Sequence, residues 1–96
     1  MKRGGSVYFL TNISNDVLYI GVTAVLFFRL QEHKDKKYPE SFTSKYNCTK
    51  LVYYETFARI EDAITREKQL KKWNREWKDT LITRFNPEWK DLFAGL

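Results

Sequence analysis

Cysteine and histidine are almost absent from this chain, and it has no long hydrophobic run. Of its 96 residues, only Cys48 is a cysteine and only His33 is a histidine. A single cysteine excludes an internal disulfide, and one residue of each type excludes a structural zinc site of the usual four ligands. The longest apolar run covers residues 24–28, far below the roughly 20 residues that a helix needs to cross a bilayer. The sequence therefore predicts no membrane-spanning segment.

Length and composition predict one folded domain over residues 1–96. A chain of this size buries roughly 60–65% of its unfolded surface, which suits a single modest core. Hydrophobic residues make up 43% of the chain and aromatic residues 17%, as is typical of a globular protein. Met1-Lys2-Arg3 is basic, but Gly4-Gly5-Ser6 follows where a signal peptide has its apolar segment, so we expect a cytoplasmic protein.

The balance of charge favours an anionic partner. The formal net charge is +5 and the isoelectric point is about 9.4, which suits a polyanion such as nucleic acid. Many soluble proteins are equally basic, so charge alone leaves nucleic-acid binding open.

The first part of the chain predicts a β-hairpin. Residues 7–10 and 17–22 are rich in β-branched and aromatic side chains, and residues 12–16 between them favour a turn. With a four-residue loop, Tyr8 and Tyr19 would be directly opposed on one face of the hairpin, whereas a slip of one residue would separate them. The sequence does not decide between these registers.

A strand pattern passes into a helix pattern near Gly21. We expect the strand to end there, where the backbone needs unusual dihedral angles or where a ligand approaches closely. Thr23 follows as a candidate helix cap, and residues 26–30 carry the apolar stripe of the helix. Arg29 and His33 are four residues apart, so they project from the same side of this helix.

The middle of the chain predicts a long loop and a third strand. Residues 34–50 are polar and basic, with at most one helical turn, and a loop of this length is usually functional or mobile. Residues 51–57 form a strand whose apolar density predicts a central position in the sheet.

The C-terminal part predicts helices that pack onto this core. Residues 59–74 show the clearest helical period, and the pattern continues to about Arg84. Asn86 and Pro87 are an N-cap and a first-turn proline, and so predict a last short helix. The tail, residues 76–96, is expected to pack onto the core.

Glu67 is the most informative single residue. It lies on the apolar side of its helix, on the same arc as Ala63 and Leu70. A carboxylate removed from water is costly unless it is paired or bound to a cation. Two interpretations are open: a metal ligand, or an internal ion pair, the commoner fate of a buried acid. The candidate partners of such a pair are Arg29, Arg66 and Lys71.

The spacing of these residues resembles that of the GIY-YIG nuclease domain. Ser6-Val7-Tyr8 is followed by Tyr19-Ile20-Gly21, whose tyrosine lies eleven residues after Tyr8. Arg29 follows ten residues after Tyr19, His33 four after that, and Glu67 lies on a later helix. The resemblance spans residues 6 to about 75. Four further segments look more narrowly like the small stand-alone bacterial members, which are carried as endonucleases of unproven activity: residues 18–23, 42–47, 52–55 and 86–89.

The resemblance implies a fold of the α/β (α+β) class, with a small three-stranded antiparallel sheet flanked by helices and extra helices at the C-terminus. It also implies hydrolysis of DNA phosphodiester bonds with one divalent cation, Mg²⁺ or Mn²⁺. A metal ion and a guanidinium neutralise the charge that develops on the phosphate, while a positioned base takes the proton of the attacking water. A tyrosine of ordinary pKa is a poor base at neutral pH, so a neighbouring cation would have to lower that pKa.

Each site role comes from the matching position in the family pattern. Glu67 matches the metal-binding glutamate, Tyr19 the tyrosine that activates water with Tyr8 beside it, and Arg29 the arginine that faces the scissile phosphate. His33 matches a position that assists proton transfer, and Gly21 the glycine that lets the backbone turn beside the site. For the late asparagine of the family, Asn74, Asp79 and Asn86 compete, and we assign it to Asn86. The first motif reads Ser-Val-Tyr, and Val22 stands where repair enzymes of the family carry a lysine.

Binding of nucleic acid would then depend on basic side chains of this domain. We expect phosphate contacts from two groups of residues: Lys34, Lys37 and Lys45 in the loop, and Lys68, Lys72 and Arg75 on the helix. Tyr38, Phe42 and Tyr46 either stack on unpaired bases or hold the loop to the core.

The predicted function is an endonuclease acting on DNA, with RNA as a further substrate. It would be specific for structure or for single strands, would serve DNA repair or recombination, and could act beside a protein partner that supplies specificity. One alternative is a non-catalytic nucleic-acid-binding module. Another is a protein-interaction domain that uses the aromatic tail around Trp89 and Phe93.

Overall fold

Three antiparallel strands and the helices around them form the fold of residues 4–96, the part of the chain that this computed structural model describes. The elements in order are β1 (Gly5–Thr11), β2 (Leu18–Thr23), α1 (Leu26–Lys34), α2 (Phe42–Lys45), β3 (Lys50–Phe57), α3 (Ile60–Lys71), α4 (Arg75–Phe85) and a 3-10 turn (Leu92–Gly95). This arrangement confirms the predicted fold class. Within the described part of the chain, no helix is long and apolar enough to span a bilayer.

The strand order is β2-β1-β3, so β1 is the central strand. The prediction that residues 51–57 form the central strand is wrong. β1 has partners on both sides and helices over both faces, which explains why all of its residues are buried. β3 is apolar because its side chains enter the core on both faces of the sheet, Val52 and Tyr53 on one face and Leu51 on the other. The tail covers its outer edge, where the Asp91 carboxylate accepts a hydrogen bond from the Leu51 amide at 3.2 Å.

The hairpin register is neither the one with a four-residue loop nor a one-residue slip from it. Thr11 pairs with Leu18, so residues 12–17 form the loop, and Leu10 lies opposite Tyr19. The Asn12 side chain holds this longer loop by accepting hydrogen bonds from the amides of Asp16 and Val17. Because the shift from a four-residue loop is two residues, Tyr8 and Tyr19 keep a common face but stand diagonally across it.

Alternation along the strands divides the core between the two faces of the sheet. On one face, Val7, Phe9 and Ile20 pack with residues of α3 and α4 such as Leu70 and Ile82. On the other face, where α1 lies, the buried residues are Tyr8, Leu10, Leu30, Cys48 and Leu51. The Tyr8 face is the one that carries the predicted catalytic residues of the hairpin.

Helix ends account for three further differences from prediction. The helix predicted over residues 59–74 ends at Lys71, because Asn74 caps a separate helix α4 by accepting a hydrogen bond from the Trp77 amide at 2.8 Å. Thr23 does not cap α1, since Val25 is the N-cap and the Thr23 hydroxyl bonds the Val25 amide instead. Asn86 opens no helix, because its side chain is turned inward, and Asp91 caps the terminal 3-10 turn.

Candidate active site

A buried hydrogen-bonded group joins β1, α1 and α2. Tyr8 and His33 are 1% and 4% exposed, and the Tyr8 hydroxyl lies 3.0 Å from Nε2 of His33. The other ring nitrogen of His33, Nδ1, lies 2.9 Å from the Thr43 hydroxyl. Thr43 lies in α2, within the segment 42–47 that contributes to the family resemblance, but the sequence predicted no role for it. Both nitrogens of the only histidine are therefore satisfied inside the protein.

Tyr19 lies between the Tyr8–His33–Thr43 group and the solvent. Its ring centroid lies 6.3 Å from that of Tyr8 and 5.8 Å from that of His33, and it stacks on Phe42 at 6.1 Å. Tyr19 also lines an open groove at the free edge of β2, which we call the Tyr19 cleft. Its lining residues are Leu18, Tyr19, Ile20, Phe42, Lys71 and Lys78. Tyr19 is thus the phenol that solutes can reach, and Tyr8 lies behind it.

Gly21 makes room for Tyr8. The two residues are paired across the hairpin, and a Cβ at position 21 would lie 2.4 Å from the hydroxyl oxygen of Tyr8. The expectation of unusual dihedral angles at Gly21 is wrong, since no glycine in the described chain has a positive φ and β2 continues to Thr23. The close approach comes from the tyrosine side chain, which needs the space that a glycine leaves.

Arg29 lies on α1 at the edge of this group. Its guanidinium forms an ion pair with Glu32 at 3.2 Å and lies over the Tyr38 ring at 5.7 Å. Burial raises the pKa of Tyr8 well above its ordinary value, and Tyr19 adds to the rise, whereas the Arg29 charge opposes it. Tyr8 therefore stays protonated at neutral pH and is not itself the base that removes a proton from water.

His33 is held in its neutral form. Burial lowers the pKa of His33 to about 4, the Arg29 charge adds to the decrease, and Glu32 opposes it. At neutral pH the imidazole therefore has one N–H donor and one acceptor nitrogen. A neutral imidazole can transfer or position a proton, but it carries no positive charge that could stabilise a phosphate.

Glu67 does not itself line the Tyr19 cleft, but it forms an ion pair with Lys71, which does. The Glu67 side chain is 14% exposed, and its carboxylate lies 3.2 Å from the Lys71 ammonium, one turn further along α3. The other candidate partners are engaged elsewhere, Arg66 with Glu55 and Arg29 with Glu32. Lys71 is itself 54% exposed and lines the cleft, so the ion pair is open to solvent on that side.

The candidate metal ligands fit a hard cation that keeps most of its bound water. No group of three or more His, Cys, Asp or Glu side chains able to hold a metal ion is found between residues 4 and 96. Glu67 would be a single carboxylate ligand. Mg²⁺ suits such a place, because it retains several waters and binds through one or two carboxylates together with phosphate oxygens of the substrate.

Most of the predicted phosphate-binding side chains already have protein partners. Lys34 bonds Asp91 and the Thr49 carbonyl, Lys37 pairs with Glu32, and Lys45 pairs with Glu40. Arg75 donates to the carbonyls of Asn15 and Asp16 and to the Asp79 carboxylate. Lys68 and Lys72 are exposed and form no ion pair with any residue in the described range. Lys71 and Lys78, which line the cleft, were not predicted as phosphate contacts.

Asn86 is not brought to this group. It is 6% exposed, and its amide nitrogen donates to the Val52 carbonyl at 3.1 Å and to the Lys90 carbonyl at 2.8 Å. Its amide oxygen accepts a hydrogen bond from the Lys90 amide. These bonds tie the tail to β3, which accounts for its burial without a catalytic role.

Comparisons with known proteins agree with this arrangement. The family model described as the GIY-YIG catalytic domain matches residues 4–80. The UPF0213 protein of Syntrophus aciditrophicus (strain SB) is 36% identical over 79 residues, which cover 82% of this chain and 90% of that protein. No solved structure matches the chain significantly. GIY-YIG domains are nuclease domains that bind nucleic acid and typically depend on a divalent metal ion. The chain described here belongs to the GIY-YIG family.

Proposed function

We propose that this protein is a divalent-metal-dependent endonuclease that hydrolyses DNA phosphodiester bonds in the Tyr19 cleft. The observation that carries the proposal is the convergence of Tyr8, Tyr19 and His33, whose rings lie within 6.3 Å of one another beside a cleft lined by the ion-pair partner of Glu67. Membership of the GIY-YIG family supports the reaction class.

Tyr19 is the residue best placed to meet the attacking water. It is the only one of the two motif tyrosines that lines the cleft, while Tyr8 is 1% exposed and has a raised pKa. We assign Tyr8 and His33 the task of orienting the Tyr19 hydroxyl from behind. A catalytic base must reach the proton that it removes, and Tyr19 satisfies this condition.

Charge on the phosphate would be met by three side chains. Glu67 would hold a Mg²⁺ or Mn²⁺ ion, which when bound supplies charge neutralisation and a more acidic water. The Lys71 ammonium, released from Glu67, would then be free to contact a phosphate oxygen from its exposed position. Arg29 would present the guanidinium N–H groups that Glu32 leaves unused, in the planar geometry that suits phosphate oxygens.

The walls of the cleft favour unpaired nucleotides. Phe42 and Tyr46 are 46% and 51% exposed, and their rings lie 4.6 Å apart in a row that begins at Tyr19. Exposed rings beside lysines are the common means of holding single strands, because bases stack on them and phosphates follow the charge. We therefore propose single-stranded or branched DNA as substrate and a role in DNA repair or recombination, with RNA that has unpaired bases as a second candidate substrate.

A cleavage assay tests this function. The wild-type protein is incubated with duplex, flap, four-way junction and single-stranded DNA in Mg²⁺, Mn²⁺ or EDTA. We expect cleavage within the strand that stops in EDTA and is greatest on substrates with unpaired bases. Binding to DNA without cleavage of any substrate in either metal would contradict the proposal and favour the non-catalytic nucleic-acid-binding module.

A further inference from the structure

A line of hydrogen bonds leads from Tyr8 away from the cleft and into α2. The Tyr8 hydroxyl contacts His33 Nε2 at 3.0 Å, and His33 Nδ1 contacts the Thr43 hydroxyl at 2.9 Å. The Thr43 hydroxyl lies 3.3 Å from the hydroxyl of Ser41, which donates to the Ser44 hydroxyl at 3.2 Å. Each hydroxyl and the neutral imidazole carry one hydrogen that can be donated. The hydrogen bonds along the line therefore all run in the same direction.

The histidine allows two polarities, because its neutral ring has one N–H. If Nδ1 carries the hydrogen, His33 donates to Thr43 and accepts the Tyr8 hydroxyl proton at Nε2. If Nε2 carries it, His33 donates to Tyr8 and accepts from Thr43. These two arrangements have the same heavy-atom positions.

Accounting for donors favours the first arrangement. The buried Tyr8 hydroxyl lies beside Nε2 of His33 and near the Arg29 guanidinium, which can only donate. Nε2 is the acceptor that lies at hydrogen-bond distance from this hydroxyl, so the Tyr8 proton is best donated there, because a buried donor without an acceptor is costly. Nδ1 then carries the hydrogen, and the Thr43 hydroxyl accepts it while donating its own proton to Ser41.

The position of Thr43 suits this task. The residue is 2% exposed, and its carbonyl accepts a hydrogen bond from the amide of the buried Cys48 at 2.8 Å. The backbone of Thr43 is thereby fixed against the core, so its hydroxyl has little freedom to leave His33. Ser41 caps α2 through the Ser44 amide, which fixes the far end of the line.

We propose that Thr43 is a positioning residue that holds His33 in the Nδ1–H tautomer and thereby sets the direction of the hydrogen bonds behind the catalytic tyrosine. With its proton directed at His33, Tyr8 turns oxygen lone pairs towards Tyr19 and Arg29. The Tyr19 hydroxyl can then donate inward and present a lone pair to the cleft. As Tyr19 takes a proton from water, its own proton would pass to Tyr8 and the Tyr8 proton to Nε2 of His33, which is unprotonated in this tautomer. In the other tautomer, His33 would donate to Tyr8, and the Tyr8 proton, left without an acceptor at hydrogen-bond distance, would oppose an inward-pointing Tyr19 proton. This catalytic consequence rests on the proposed function, whereas the tautomer does not.

The test is nuclear magnetic resonance of the full chain labelled with ¹⁵N-histidine. Because His33 is the only histidine, one set of ring signals reports which nitrogen carries the hydrogen at pH 7.5. We expect the Nδ1–H form in wild type and in Thr43→Ser, and a gain of the Nε2–H form in Thr43→Val, which keeps the shape but removes the hydroxyl. An Nε2–H ring in wild type overturns the proposal even if Thr43→Val fails to fold. An unchanged ring in a folded Thr43→Val variant also overturns it.

Cleavage assays separate this inference from the proposed function. Thr43→Val is expected to lower kcat at least about tenfold without changing DNA affinity in EDTA, and Thr43→Ser to retain activity, because proton positioning contributes on the order of 10²-fold or more. Full activity in Thr43→Val overturns the catalytic consequence. A wild type that shows the Nδ1–H ring but cuts no DNA supports the hydrogen-bond direction and contradicts the proposed function.

Discussion

The ring of Tyr8 occupies the space in front of Gly21 on the neighbouring strand. A Cβ at position 21 would lie 2.4 Å from Tyr8 Cζ, so the glycine and the tyrosine depend on each other. Gly21 is required by the packing of the Tyr8 side chain, and not by a turn of the backbone.

This relationship predicts the effect of Gly21→Ala on stability. The added methyl group must displace the buried Tyr8 ring, which overpacks the site and should lower the free energy of unfolding by about 1–3 kcal/mol. Urea unfolding measures this change. Gly95→Ala is the matched control, because nothing lies within 4 Å of the added Cβ there, and it should change stability by less than about 0.5 kcal/mol. Equal effects of the two substitutions would contradict the account.

The buried histidine predicts how stability depends on pH. Its pKa falls from 6.5 to about 4 on folding, so between these values the unfolded chain binds a proton that the folded chain does not. The free energy of unfolding should therefore be fully retained above pH 6.5 and decrease on acidification through this window, by about 3 kcal/mol in total. Glu32 and Asp91, whose pKa values are lowered by Lys37 and Lys34 among others, add a loss at lower pH. A His33 titration midpoint near 6.5 in the folded protein would contradict this prediction.

The aromatic wall of the cleft predicts a selective loss of single-strand binding. Phe42→Ala should weaken binding of single-stranded DNA in EDTA roughly tenfold, because a stacked base contributes on the order of 1–3 kcal/mol. Duplex binding should change little. Phe28→Ala is the matched control, because the Phe28 ring is 67% exposed on α1 but does not line the cleft. Fluorescence anisotropy with both variants decides the matter, and an equal loss in both would mean that Phe42 does not contact the DNA.

Arg75 and Lys72 should separate folding from DNA binding. Arg75 bonds the Asn15 and Asp16 carbonyls in the hairpin loop, so Arg75→Ala is expected to lower stability by about 1 kcal/mol and to leave DNA affinity nearly unchanged. Lys72→Ala should leave stability unchanged and reduce the salt dependence of binding by about one phosphate contact. Thermal unfolding and binding at several salt concentrations measure both effects. A larger loss of DNA affinity in Arg75→Ala than in Lys72→Ala would contradict this assignment.

Local patterns predicted the elements better than their arrangement. Period and turn residues are local signals, so the hairpin, the helices and the single helical turn in residues 34–50 could be predicted. The sheet order could not be predicted, because β3 is an edge strand whose side chains enter the core on both faces, which makes it as apolar as a central strand. The tail that covers its outer edge is distant in sequence. The register depended on the Asn12 side chain, and the end of α3 depended on Asn74 acting as a cap.

The site shows the same division. Spacing was enough to find Tyr8, Tyr19 and His33, which the structure brings together. Spacing could not assign a role to Thr43 or Lys78, because their positions depend on how α2 and α4 pack. It assigned Asn86 to the site, but the Asn86 amide bonds the backbone of β3 and the tail. Residues that meet only through tertiary packing leave no periodic signal in one sequence.

Glu67→Gln tests most directly whether Glu67 serves metal-dependent cleavage. Glu61→Gln is the matched control, because it makes the same change in an exposed acid of α3, beside Arg59. Cleavage of single-stranded and flap DNA is followed in Mn²⁺, together with DNA binding in EDTA. We predict that Glu67→Gln lowers the cleavage rate by at least about a hundredfold with DNA binding unchanged, while Glu61→Gln cleaves as wild type does. Cleavage by Glu67→Gln at the wild-type rate would contradict the account.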